Sequence, residues 1–148
     1  MRIRARAVTV AGLLLVLGLL APAALAANPH FIGTPTATQS GDTVTVRFKA
    51  AGLGNVEEAD FTLTGDATVF SRCYTKSGNN PQAENKQETF TDITDAGTFP
   101  VRSGQTTGTL SISAPAPTLQ CPRGQRVVVE SVTFDNVVLS GEGLTFTF

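Results

Sequence analysis

Polar and apolar residues alternate along most of this chain, and the alternation predicts strands. The clearest run is 43–50, where Val44, Val46, Phe48 and Ala50 interleave with Thr43, Thr45, Arg47 and Lys49. A period of two sends the first set to a core face and the second to solvent. Residues 107–113 repeat the pattern with Leu110 and Ile112 inward. In 67–75, Val69, Ser71 and Cys73 share one face, and Phe70, Arg72 and Tyr74 share the other. Further strands are expected at 28–38, 60–64, 88–94, 125–134, 136–140 and 144–148, with a short one at 99–102 and a short helical turn at 56–59. Breaks are expected at Gly41-Asp42, at Gly65-Asp66 and in the proline-rich 114–118. Seven to nine short strands at roughly ten-residue spacing predict an all-β, immunoglobulin-like β-sandwich; a small β-barrel is the alternative.

Composition strengthens that reading. Beyond residue 26 the chain holds 20 Thr, 11 Val and all 9 Phe, but only 6 Leu. Thr, Val and Phe suit a pleated, half-buried surface, and the usual helix builders are scarce.

The first 26 residues have a different character. Arg2, Arg4 and Arg6 precede an apolar run over 7–20, and Ala24-Leu25-Ala26 has the small-x-small form of a processing site. The run is shorter than the roughly 20 residues that cross a bilayer. The expected organisation is a secretory signal peptide over 1–26 and a single domain over 27–148. The expected location is extracellular, with no stable membrane insertion after processing. Removing the three arginines from the 11 basic residues leaves eight against 12 acidic ones, a net charge of −4. That balance argues against nucleic acid as a partner, because phosphate neutralisation needs clustered Lys and Arg.

Cys73 and Cys121 are the only cysteines. In an exported chain an even pair predicts a disulfide. Around them stand Ser77-Gly78-Asn79-Asn80-Pro81, Asn85 and Cys121-Pro122-Arg123-Gly124-Gln125. With Asn28-Pro29-His30-Phe31 at the start of the mature domain and Val132-Thr133-Phe134 further on, these strings resemble a group of small secreted proteins, largely actinobacterial, with no assigned function. The resemblance implies a compact all-β secreted domain with one disulfide, and supplies no activity.

Catalytic chemistry finds few residues. His30, the only histidine, lies near the start of the mature domain, a poor place for a positioned base. An amino-terminal copper site there would meet Pro29, which has no amide proton to lose. Asp42, Asp60, Asp66, Asp92, Asp95, Asp135 and Glu142 are read as turn residues bonding nearby backbone, without the Asp-x-Asp-x-Asp run of a calcium loop. No metal or other cofactor is expected, and no enzyme activity. Sugar stacking favours Trp and Tyr, and the chain has no Trp and one Tyr; its Phe residues are assigned to the core.

The expectation is therefore a non-catalytic binding or interaction module, acting at the cell surface or in the extracellular matrix on an extracellular protein or cell-surface component. The alternative is an inhibitor of extracellular proteases or other secreted enzymes, presenting 114–120. A Cys73–Cys121 bond would gather two polar segments at one end of the sandwich. The candidate binding residues are accordingly Asn79, Asn80, Asn85, Arg123 and Gln125.

Overall fold

The computed structural model describes residues 27–79 and 86–148. The expected signal peptide at 1–26, and Asn80 and Asn85, lie outside the described residues. Eight strands follow one another: β1 (His30–Phe31), β2 (Thr36–Ser40), β3 (Thr43–Ala51), β4 (Glu58–Thr75), β5 (Lys86–Pro100), β6 (Thr106–Ser113), β7 (Gln125–Gly141) and β8 (Leu144–Thr147). They form two antiparallel sheets packed together as a β-sandwich. In sheet A, β3 is central. Its Ala50 pairs with both Phe31 and Thr106, and its Val46 with both Ala37 and Leu110, so β1 and β2 share one edge and β6 takes the other. Sheet B runs β5-β4-β7-β8.

The alternation seen in the sequence at 43–50 is the alternation of burial. Val44, Val46, Phe48 and Ala50 are all buried, and Arg47 and Lys49 are exposed. They face Phe61, Leu63, Val137 and Leu139 of sheet B. The centre is aromatic: Phe48 packs on Phe61 at 4.4 Å between centroids with the rings tilted by 45°, and meets Phe99 edge-on at 5.4 Å. Gly108 lies beneath this ring, where a Cβ would come within 2.4 Å of Phe48 Cζ.

Three strands are longer than expected, and for two of them the reason is physical. Gly65-Asp66 is not a turn but the middle of β4, an 18-residue strand. Gly65 points inward where the sheets approach closely; a Cβ there would sit 2.8 Å from Ile112 Cδ1. The glycine marks packing against a neighbour. The expected break near Asn136 is a bulge within β7. Thr64 pairs with Val138 and Asp66 with Asp135, so Gly65 alone opposes two residues. Asn136 absorbs the extra length at φ 51°, a region Asn tolerates better than most residues. Of the strand expected at 99–102, residues 99 and 100 end β5 and Arg102 forms only an isolated bridge with Gln105, and in place of a helical turn at 56–59 the chain enters β4 at Glu58.

Strand length creates the feature that positions the site. β3 has 9 residues and β4 has 18, so the second half of sheet B runs on past sheet A. Its inner residues remain buried nonetheless, Ser71 at 1% and Cys73 at 0% exposure. The cover is the irregular segment 114–122. Ala114 N donates to Asp42 O at 2.8 Å, Ala114 packs against Ala67 and Val69, Thr118 Oγ1 donates to Gln87 Oε1 at 3.2 Å, and Cys121 bonds to Cys73. Exposure alternates along 115–121, as in an extended chain laid against a sheet. This segment is a strap that does for the far half of sheet B what sheet A does for the near half.

Several carboxylates read as turn residues stand within strands. Asp95 of β5 accepts from Ser111 N at 2.9 Å, satisfying a backbone donor of β6 where the two sheets meet. Asp60 accepts from Thr98 Oγ1, and Asp66 from Asn136 Nδ2, each at 2.6 Å.

Candidate binding site

The disulfide holds Cys73 and Cys121 with their Cα atoms 5.6 Å apart, which brings two turns to one end of the sandwich. In the first, Thr75 N donates to Asn79 O at 2.9 Å and Gly78 N to Thr75 O at 3.0 Å. Asn79 N in turn donates to Thr75 Oγ1 at 3.2 Å. In the second, Gln125 N donates to Pro122 O at 3.0 Å, closing a turn whose Gly124 sits at φ 87°. Gln125 pairs in register with Thr75, and Arg123 is exposed at the tip. Asn79, Arg123 and Gln125 thus share one end. The backbone of Asn79 is committed to its own turn.

A more organised surface lies beside them, on the outer face of sheet B. Register places Phe90 of β5 beside Thr68 of β4, Glu88 beside Phe70, and Lys86 beside Arg72. On the other flank Tyr74 pairs with Arg126 of β7. A second bulge sits here: Phe70 pairs with Ser131 and Ser71 with Val129, leaving Glu130 as the extra residue. Bulges re-aim side chains, and this one turns the Glu130 carboxylate across β4. Oε2 lies 3.0 Å from Arg72 Nε, and Oε1 accepts the Tyr74 hydroxyl in a short hydrogen bond. The guanidinium of Arg72 also rests over the Phe70 ring, 4.9 Å from its centroid. Arg72 and Tyr74 are therefore fixed by one carboxylate. Phe90, further along the same face opposite Thr68, is 63% exposed, the most open of the large apolar residues described.

The hydrogen bond to Glu130 holds the Tyr74 phenol above its ordinary value of 10.0, helped by partial desolvation and by the carboxylate's charge, against a smaller opposing effect of Arg72. A raised folded pKa means the contribution is complete below pH 10.0 and is lost as pH rises through the folded value. With one Tyr and no Trp, ultraviolet absorbance titrates this group alone. The folded protein is expected to ionise at higher pH than the unfolded chain, and Glu130→Gln to bring the transition back toward 10.0. Identical titrations of the two proteins would show that Glu130 does not hold the phenol in solution.

Other residues considered from the sequence do little here. His30 Nδ1 donates to Asn28 O at 3.0 Å. Among the described residues no group of three or more His, Cys, Asp or Glu is arranged to hold a metal ion, and no helix is long and apolar enough to cross a membrane. The assignment of the Phe residues to the core needs correction: Phe70 and Phe90 lie on the outer face. The signal for Phe90 was present, since it shares parity with Glu88, Asp92 and Thr94, on the polar side of its strand. Glu130 was not legible, because a bulge shifts register by one without marking the sequence. No protein-family model matches the chain, and no curated protein or solved structure matches it.

Proposed function

We propose that the protein is a secreted, non-catalytic binding module acting at the cell surface or in the extracellular matrix. On this reading it meets an extracellular protein or cell-surface component with the outer face of sheet B around Phe70, Arg72, Tyr74 and Phe90. One observation carries the reading: the face that holds the open Phe90 ring also holds an Arg and a Tyr already fixed in place by Glu130. Tyr and Arg dominate binding energy at protein interfaces, and aromatic residues are enriched there. Side chains ordered before contact lose less freedom on binding. The two turns at the disulfide end, with Asn79, Arg123 and Gln125, would form the polar rim. The bridge supports a location where disulfides persist.

The test begins with partners captured from the producer's secretome by the mature protein. Phe90→Ala with Arg72→Ala is expected to weaken the captured interaction at least tenfold while the fold is kept. Replacing Asn79, Asn80, Asn85 and Arg123 by Ala is expected to weaken it only a few-fold. Unchanged affinity in the first variant would overturn the assignment of the face. A captured protease that still binds that variant, and is blocked by the protein, would favour the inhibitor reading through 114–120.

A further inference from the structure

Charge is unevenly distributed over this molecule. Residues 70–76, 86–90 and 121–130 hold five of the eight basic residues beyond position 26, namely Arg72, Lys76, Lys86, Arg123 and Arg126, but only two of the 12 acidic ones, Glu88 and Glu130. Strand pairing and the Cys73–Cys121 bond bring these three segments together at one end of sheet B. They sum to +3 (five less two), and the remainder beyond residue 26 to −7 (three less ten). Glu84, outside the described residues, is counted with the remainder. Glu130 already holds Arg72 and Tyr74 and is not free for another partner. Lys76, Lys86, Arg123 and Arg126 make no ion pair among the described residues, and all four are exposed.

Register sharpens the imbalance. Lys86 of β5 stands directly opposite Arg72 of β4, and like charges so placed repel across a sheet. Glu130 answers Arg72 from the β7 side, which leaves the Lys86 ammonium uncompensated on the β5 side. Arg126 adds a further cation beside Tyr74. The open Phe90 ring lies four positions along β5 from Lys86, on the same face. At about 3.3 Å per residue the two are about 13 Å apart, so one extended segment laid along β5 would span both. We infer that the partner of this face is an extracellular protein presenting an acidic, extended segment, with carboxylates at the Lys86–Arg126 end and an apolar side chain about four residues away over Phe90. The inference rests on the reading of this face as the binding surface and names what the face selects. An anionic wall or matrix polymer would meet the same cations but offers no apolar side chain to Phe90. The charge asymmetry also steers encounter, since the positive end attracts an acidic partner and the negative remainder repels it.

The probe is a short synthetic peptide with a glutamate pair and, about four residues on, a phenylalanine; its control has glutamine in place of each glutamate. Titrated into the mature protein and followed by amide chemical shifts, the acidic peptide should move signals of 70–76, 86–90 and 123–130. The control should bind about tenfold more weakly. Raising salt from about 0.01 M to about 0.1 M, which shortens the Debye length from about 30 Å to about 10 Å, should weaken the acidic peptide several-fold. Lys86→Glu with Arg126→Glu should abolish its binding, and Phe90→Ala should weaken it. Equal binding of the two peptides, or no shift with either, would overturn the inference. So would polyphosphate that binds more tightly than the acidic peptide and equally well to the Phe90→Ala variant, a result that favours an anionic polymer. The partner captured from the secretome separates this inference from the reading it rests on. Loss of that partner in Phe90→Ala with Arg72→Ala, but not in Lys86→Glu with Arg126→Glu, keeps the face and rejects the acidic segment. Retention in both rejects the face, and the inference with it. The comparison of the two peptides on the unaltered protein stands even if a variant fails to fold.

Discussion

Phe48→Asp is expected to abolish folding, and Lys49→Asp to leave the domain intact. These neighbours occupy opposite faces of β3. Phe48 is 4% exposed and fills the space between the sheets. Its ring contacts Phe61 and Phe99 of sheet B and Phe31 of sheet A, the last at 6.5 Å between centroids. Deleting a buried Phe side chain alone costs about 3–5 kcal/mol. A carboxylate in its place adds the cost of an unpaired charge, because the surrounding atoms are hydrocarbon. The sum approaches the whole stability of an ordinary domain, about 5–15 kcal/mol. Lys49 lies on the solvent face, beside Thr107, and its replacement should change stability by no more than about 0.5 kcal/mol. Chemical denaturation followed by circular dichroism checks both. Equal tolerance of the two changes would mean that the faces of β3 are assigned the wrong way round.

Opening the Cys73–Cys121 bridge has the next largest effect. The cysteines are 48 residues apart, and the chain-entropy model assigns a loop of that length about 4 kcal/mol. The double variant Cys73→Ser with Cys121→Ser should therefore show a large fall in denaturation midpoint. Alkylation of the unreduced protein should modify neither thiol. The bridge does more than shorten the unfolded chain. It fastens the strap over Cys73 and Ser71, which sheet A is too short to cover. A midpoint within error of the parent protein would contradict this role.

The two-layer design was legible wherever burial follows a period of two without interruption. Residues 43–50 and 107–113 carry that pattern in full, and they form β3 and β6. The disulfide followed from the redox logic of an even pair in a chain expected to be exported, and it is present. Sequence reading failed where one residue type has two physical uses. Gly65 ends strands elsewhere in proteins, but here it removes a side chain from a crowded interface. Asp60, Asp66 and Asp95 were read as turn formers and instead accept hydrogen bonds from within or beside strands. The projecting half of sheet B could not be foreseen, because strand lengths depend on those misread breaks. The candidate site was half legible. Phe70, Arg72 and Tyr74 were seen to share a face; their fixing depends on Glu130, which register alone brings to them.

The central claim is that the strap, held by its disulfide, keeps the far half of sheet B in place and so preserves the face around Phe90. Native-state hydrogen exchange, with the bridge intact and reduced, tests it most directly. On reduction, amides of 67–75 and 125–132 should lose protection first. Those of 44–50, 61–63 and 110–112, buried between the sheets, should keep theirs until global unfolding. Uniform loss across both halves, or protection of 67–75 unchanged by reduction, would contradict the claim.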